Sequence, residues 1–255
     1  MTIAAGFQVN DGFVFCSDTE GTTATLKLFR KKVVAPTVGA CHYIYTGSGD
    51  AGFLQMAAAK IEQKLQERHV ESEKEFAEVV EEVILSIHEK NIAAYPDDPK
   101  PSFSMIIGLL LNGKMSMIRT NATSVTVGSY GAECVGSGST LGRFILNKLW
   151  CADPDIVHAT IQAIYMLQQA REFAPGCGGI SHIFCLRKDG SFGVVSQGEI
   201  KAWEEFFRHA EGVAQSFILV YRRGHIFGEG SFEKAVRKLL KESKKLPEPY
   251  KEFPL

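Results

Sequence analysis

The sequence Gly47-Ser48-Gly49-Asp50-Ala51-Gly52 marks the point at which the hydrophobic pattern changes from strands to helices. Before it lie short apolar segments separated by turn residues, with a hairpin signal at Asn10-Asp11-Gly12. After it, apolar residues recur with helical spacing over residues 51–68 and again beyond Ser72-Glu73-Lys74-Glu75, a capping-box sequence. No strand pattern separates the two helices, so alternating strand–helix–strand units are excluded here.

The second half of the chain repeats this order. Two strand patterns flank the hairpin signal Asn112-Gly113, and Gly136-Ser137-Gly138-Ser139 then precedes a helix over residues 140–149. A further helix is predicted over residues 153–173, with Pro154 in its first turn, followed by two strands and two more helices. The sequence therefore predicts an α+β fold, a four-layer α-β-β-α sandwich of two antiparallel sheets flanked by helix pairs.

Domain organisation follows from the same patterns. We predict one domain over residues 1–245 with a C-terminal helical extension from about residue 199, and a loosely ordered tail over residues 246–255, which are rich in proline and charge. Within the first half, residues 21–25 are expected to form a loop, and residues 28–34 a strand.

Composition narrows the classes of function. Of 255 residues, 45% are hydrophobic and 22% are charged, a globular balance that excludes a fully disordered chain. The 28 basic and 29 acidic residues give a net charge of -1, so neither nucleic acid nor an anionic membrane is expected as a partner. No apolar run reaches the length of a membrane span, and the N-terminus lacks the pattern of a secretory signal.

The cysteines indicate the compartment. None of the six forms a C-x-x-C pair, and most lie in apolar segments. Six cysteines in a chain of this length do not make a disulfide framework. We therefore predict reduced thiols and a cytoplasmic location.

Two local motifs suggest chemistry that the context argues against. Residues 47–52 match G-x-G-x-x-G, but a dinucleotide site also needs a second parallel strand, where this chain continues with a helix. The seven histidines show no metal-binding spacing, so no cofactor and no metal are expected. Cys177, five residues before His182, could form a Cys–His nucleophile; a small residue in a tight glycine loop is the simpler interpretation.

Thr2 suggests a different nucleophile. Removal of Met1 would give a threonine that carries both a hydroxyl and a free α-amine. An α-amine has a pKa of about 7.7–8.0, so a useful fraction is neutral near pH 7 and can act as a base. Position alone favours the simpler interpretation, in which Thr2 merely starts an ordinary strand.

Several segments in order resemble one family. They are Thr2-Ile3-Ala4-Ala5-Gly6, Phe15-Cys16-Ser17-Asp18-Thr19, Lys31-Lys32-Val33-Val34, Thr46-Gly47-Ser48-Gly49-Asp50, Val135-Gly136-Ser137-Gly138-Ser139, and Gly178-Gly179 followed by a strand and Lys188-Asp189-Gly190. Over residues 2–195 the chain resembles the proteasome β, HslV and Anbu group of N-terminal nucleophile hydrolases.

The resemblance implies roles for the matching residues. Thr2 would attack a carbonyl carbon, and Lys32 would be the cation that favours its ionised form, with Asp18 as the carboxylate partner. Gly47 would donate a backbone N–H to the developing oxyanion. Ser137 would help to position the terminal amine. Lys31 stays the alternative to Lys32, because the preceding loop is shorter than in the family.

The chain also departs from the family pattern. Ala174 and Cys177 stand where the family has an acidic residue and a serine before the Gly-Gly pair, and Glu172 is out of register. Three hypotheses follow: a threonine peptidase in a homo-oligomeric ring or related assembly, a non-catalytic assembly subunit, and a small-molecule amidase of the same fold. Peptides or unfolded proteins are the expected substrates under the first hypothesis, and an unfoldase partner is left open.

Overall fold

The computed structural model describes residues 2–22, 27–29, 32–96, 99–128, 131–151, 153–223 and 229–247. The chain divides into two compact units, one up to Val194 and one from Val195 onward. Within the described residues, the first unit contains two five-stranded sheets, one two-stranded sheet and four α-helices, and the second contains two α-helices.

The first sheet joins strands from the two ends of the first unit. Its order is β10-β1-β2-β11-β12, and every neighbouring pair is antiparallel. The turn at Asn10 and Asp11 closes the predicted hairpin between β1 and β2. The strands span Ile3–Val9 (β1), Gly12–Asp18 (β2), Ala132–Gly136 (β10), Ser181–Arg187 (β11) and Phe192–Val194 (β12).

The second sheet is formed by consecutive antiparallel strands in the order β5-β6-β7-β8-β9. Asn112 and Gly113, both with positive φ, form the predicted hairpin turn between β7 and β8. Its strands are Thr37–Val38 (β5), Cys41–Gly49 (β6), Phe103–Leu111 (β7), Lys114–Asn121 (β8) and Ser124–Val127 (β9).

Helix pairs cover the outer faces of the two sheets. Helix α1 (Ala51–Glu67) and α2 (Glu73–Ile87), which continues as a π-helical turn over His88–Ile92, bury their apolar faces against the second sheet. Helix α3 (Ser139–Leu149) and α4 (Ile156–Phe173) lie on the first sheet. Between the sheets lies a core that includes Phe13, Phe15, Ile44, Ile106 and Met117. The predicted four-layer sandwich is therefore confirmed.

The second unit is a pair of helices, α5 (Gln197–Arg223) and α6 (Glu229–Ser243). Within it the indole N–H of Trp203 donates to the carbonyl of Pro247 at 3.2 Å. Helix α5 begins at Gln197, and the division into one domain with an extension from about residue 199 stays a prediction. Residues 248–255 of the predicted loose tail lie outside the described residues. None of the described helices is long and apolar enough to cross a membrane.

Three local predictions were wrong in part. Of the expected strand over residues 28–34, the structure shows β4 (Lys27–Phe29) and an isolated bridge at Val34, and residues 30–31 lie outside the described residues. β4 pairs with β3 (Glu20–Thr22), whose last two residues fall in the predicted loop. Helix α4 begins only at Ile156, because the carboxylate of Asp155 accepts the N–H of His158 and caps the helix after Pro154.

Candidate active site

The hydroxyl of Thr2 lies at the centre of a buried polar group. Thr2 precedes β1 and is 5% exposed. Its Oγ1 donates a hydrogen bond to the carboxylate of Asp18 and accepts one from the ammonium of Lys32. The structure therefore brings together the three side chains that the sequence proposed as nucleophile, carboxylate and cation.

Asp18 holds this group at the end of β2. Its side chain is fully buried, and a buried carboxylate requires compensating donors. Besides Thr2, its Oδ1 accepts the backbone N–H of Ile3 at 3.2 Å and Lys32 Nζ at 2.8 Å, and its Oδ2 accepts the N–H of Gly178 at 3.0 Å. Four donors thus satisfy the carboxylate and fix its orientation.

Lys32 supplies the positive charge next to the hydroxyl. Its side chain is 16% exposed, and its Nζ also donates to the backbone carbonyl of Glu20. All three ammonium protons are therefore used within the site. Lys31, the alternative lysine, lies outside the described residues.

The second glycine–serine turn holds the backbone of Thr2. Ser137 Oγ donates to the carbonyl oxygen of Thr2 at 3.4 Å, and the N–H of Gly138 donates to the same oxygen at 3.3 Å. Gly136 has a φ of +98°, and a Cβ placed there would come within 2.2 Å of that carbonyl oxygen. Ser137 thus contacts the carbonyl of Thr2, while its predicted role in positioning the terminal amine stays a prediction.

Gly136→Ala is expected to damage both stability and the site. Positive φ costs a non-glycine residue about 1–2 kcal/mol, and the new methyl group would also displace the Thr2 carbonyl. Gly113→Ala is the matched control, because Gly113 also has positive φ (+74°) but has open space around its Cβ position. Thermal melting should therefore show a clearly larger loss for Gly136→Ala. Equal losses would contradict the close approach at Gly136.

Gly47 faces the same region through its backbone. The N–H groups of Tyr43 and Tyr45 donate to Pro36 and Val34, on the side of β6 away from β7. N–H groups alternate along a strand, so the Gly47 N–H points to this side as well. The register of the Val34–Tyr45 bridge, extended by two residues, places Lys32 opposite Gly47. The oxyanion role of Gly47 stays a prediction.

The alternative nucleophile, Cys177, lies next to this group. Its Sγ is 2.9 Å from the Cβ position of Gly138, and the residue is 8% exposed. Burial, followed by the nearby charge of Asp18, raises the pKa of the Cys177 thiol, and a hydrogen bond with Ser137 partly opposes this. A nucleophilic cysteine needs a lowered pKa, so the geometry favours a packing role for Cys177.

Sequence reasoning missed three contacts of the site. They are the N–H of Ile3, the N–H of Gly178, and Glu20, whose carbonyl accepts from Lys32. Backbone contacts such as these depend on how β2 lies against the segment before β11. The only sequence signal was the Gly178-Gly179 pair itself.

The motif at residues 47–52 forms the start of helix α1. Asp50 accepts the N–H groups of Gly52 and Phe53 and caps this helix. The strand that pairs with β6 is the antiparallel β7, whereas a dinucleotide site needs a parallel neighbour, so the dinucleotide interpretation does not fit. Among the described residues, no group of three or more acidic, histidine or cysteine side chains is arranged to hold a metal ion.

Comparison with known proteins bears on the fold. The sequence matches no protein-family model and no curated protein. Solved structures do resemble it. A Gly-1 mutant of Anbu from Hyphomicrobium sp. strain MC1 superposes with a TM-score of 0.72 at 15% identity, covering 86% of this chain and 99% of that one. The chain has the Anbu fold.

Two further Anbu structures agree. Anbu, described as an ancestral beta-subunit, from Yersinia bercovieri gives a TM-score of 0.71 at 11% identity, and the Anbu complex from Pseudomonas aeruginosa, solved as a helical assembly, gives 0.67 at 15%. Each comparison covers 89% of this chain and 99% of the Anbu chain. The predicted proteasome-like N-terminal nucleophile fold is confirmed, while membership of the proteasome β, HslV and Anbu group stays a prediction.

Proposed function

We propose that the chain is an N-terminal-threonine hydrolase of amide bonds, a proteasome-like endopeptidase that works as a homo-oligomer. The observation that carries this proposal is the hydroxyl of Thr2, buried between the ammonium of Lys32 and the carboxylate of Asp18. A hydroxyl beside a fixed cation is easier to ionise, which is what a weak nucleophile requires.

The proposed reaction needs a free α-amine on Thr2. The hydroxyl oxygen attacks the carbonyl carbon of the substrate while the amine accepts the hydroxyl proton. The Gly47 N–H stabilises the oxyanion, and the amine then protonates the leaving nitrogen as the C–N bond breaks. Water hydrolyses the resulting ester on Thr2 in the same way, which releases the acid and restores the hydroxyl.

Self-assembly and location belong to the same proposal. The Anbu complex from Pseudomonas aeruginosa forms a helical assembly, which supports a ring or related homo-oligomer for this chain.

All six cysteines are free thiols, five of them buried, which supports a reducing compartment such as the cytoplasm. Peptides or unfolded proteins are the proposed substrates.

One preparation of native protein tests the proposal. We expect intact mass to show loss of Met1, light scattering to show an assembly well above one chain, and a peptide library to be cleaved. Acylated small molecules in parallel reactions serve as the comparison, because cleavage of these alone would instead indicate an amidase. Retention of Met1 with no hydrolysis would indicate a non-catalytic subunit, and a monomer at all concentrations would remove the assembly.

A further inference from the structure

The carboxyl group of Glu20 is buried at the edge of the candidate active site. Glu20 is 5% exposed, and its backbone N–H donates to the carbonyl of Gly178 at 3.2 Å. Its carboxylate lies against the α-carbon of Gly178, where an added Cβ would come within 2.1 Å of Oε2. Its own carbonyl accepts from Lys32. Glycine at position 178 thus leaves the room that this carboxylate occupies.

The loop beneath this carboxylate is linked to Thr2 through two neighbouring residues, Gly138 and Asp18. Cys177 packs against Gly138, whose N–H donates to the Thr2 carbonyl. The next residue, Gly178, donates to Asp18, which accepts from the Thr2 hydroxyl. The Glu20 carboxylate therefore borders a loop that is connected to Thr2 on two sides, through Gly138 to its carbonyl and through Asp18 to its hydroxyl.

A buried α-ammonium requires an anion close to it. Asp18 already accepts four hydrogen bonds, about the number that the lone pairs of a carboxylate allow. Ser137 and Gly138 direct hydrogen bonds to the Thr2 carbonyl. Besides Asp18, Glu20 is a buried carboxylate that contacts the Cys177–Gly178 loop. Ala174, which stands where the family has an acidic residue, has no carboxylate.

We propose that Glu20 is a positioning residue whose carboxylate accepts a hydrogen bond from the α-ammonium of processed Thr2 and holds the amine beside the hydroxyl. This inference rests on the proposed function. Because a carboxylate favours the protonated amine, Glu20 raises the pKa of the α-amine. The amine must lose its proton to act as a base, so Glu20 sets the lower pH limit of activity.

Glu20→Gln in the assembled full chain tests the inference. With the charge removed, the pKa of the α-amine should fall, and the acid limb of the kcat/KM profile should move to lower pH by about one unit. The plateau kcat should fall about tenfold because the amine is less well held, with a smaller change in KM. Reductive ¹³C-methylation followed by NMR gives the pKa of the methylated α-amine, and the difference between the parent and the variant reports the shift. Glu20→Asp should restore part of the shift.

Glu133→Gln is the matched control. Glu133 is 9% exposed and pairs with Arg119 at 3.0 Å. Its replacement should lower the melting temperature but leave the pH profile unchanged. If Glu20→Gln does not fold, Gly178→Ala serves instead, since its methyl group displaces the same carboxylate and should lower the pKa of the α-amine likewise.

The inference is overturned if Glu20→Gln, with Met1 removed, leaves the α-amine pKa and the acid limb unchanged. In that case Thr2→Ala would still abolish activity, and the proposed function would stand. If instead Thr2→Ala keeps its activity, the proposed function itself fails, so the two failures are distinguishable.

Discussion

Thr2→Ala is expected to abolish amide hydrolysis while leaving the fold intact. A methyl group can neither attack a carbonyl carbon nor exchange a proton, so the loss should exceed ~10³-fold, or about 4 kcal/mol of transition-state stabilisation. The remaining contacts of Asp18, to Lys32, Ile3 and Gly178, do not involve the lost hydroxyl. Steady-state turnover of a peptide that the parent cleaves, with thermal melting alongside, measures both effects.

Thr2→Ser is the control for this prediction. Serine keeps the hydroxyl and the α-amine but lacks the Thr2 methyl group, which lies 3.1 Å from the Cβ position of Gly136. Without the methyl group, the hydroxyl is held less firmly in one rotamer, which should cost about 1 kcal/mol of transition-state stabilisation. Activity should therefore fall about fivefold. Because alanine and serine are both small, Met1 should be removed from both variants, and intact mass checks this. Wild-type turnover by Thr2→Ala would disprove the threonine mechanism.

Local signals in the sequence predicted most elements correctly. The hairpin at Asn112-Gly113 and the capping box at Ser72–Glu75 are confirmed because neighbouring residues determine each of them. The strand over residues 28–34 was wrong in part because a local strand pattern does not show whether a partner strand lies beside it. Pro154 misled the prediction because it precedes the Asp155 cap instead of following it.

The arrangement of the first sheet could not be predicted in the same way. β1 lies between β2, its hairpin partner, and β10, which follows more than a hundred residues later. The two halves of the sequence look like repeats, yet the sheet mixes strands from both. Such long-range pairing depends on the fit between whole surfaces, which no local pattern records.

The candidate site also combines residues that the sequence suggested with contacts that it did not. Thr2, Asp18 and Lys32 were proposed from the family resemblance, and the structure places them in mutual contact. Glu20 and Gly178 were not proposed as site residues, because their contacts follow from the pairing of residues 18–20 with 178–180. Sequence could therefore suggest three side chains of the candidate site, but neither Glu20 nor the backbone groups that orient them.

Lys32→Met is expected to be nearly as damaging to activity as Thr2→Ala. Methionine keeps much of the side-chain length but removes the charge that favours the ionised hydroxyl, so the loss should be ~10²-fold or more, or about 2.7 kcal/mol. Asp18 would also be left buried without its cation, which should cost about 3 kcal/mol of stability. Lys64→Met is the control, because the exposed Lys64–Glu82 pair, at 2.6 Å, contributes at most about 1 kcal/mol.

The double variant Lys32→Met with Asp18→Asn separates the two roles of the lysine. Removing both charges leaves no unpaired buried ion, so much of the lost stability should return, because an isolated buried charge costs more than a missing pair. Activity should not return, since the cation next to the Thr2 hydroxyl is still absent. Chemical denaturation and single-turnover kinetics on the four proteins of the cycle measure the two effects separately. Recovery of activity together with stability would show that Lys32 acts only by neutralising Asp18.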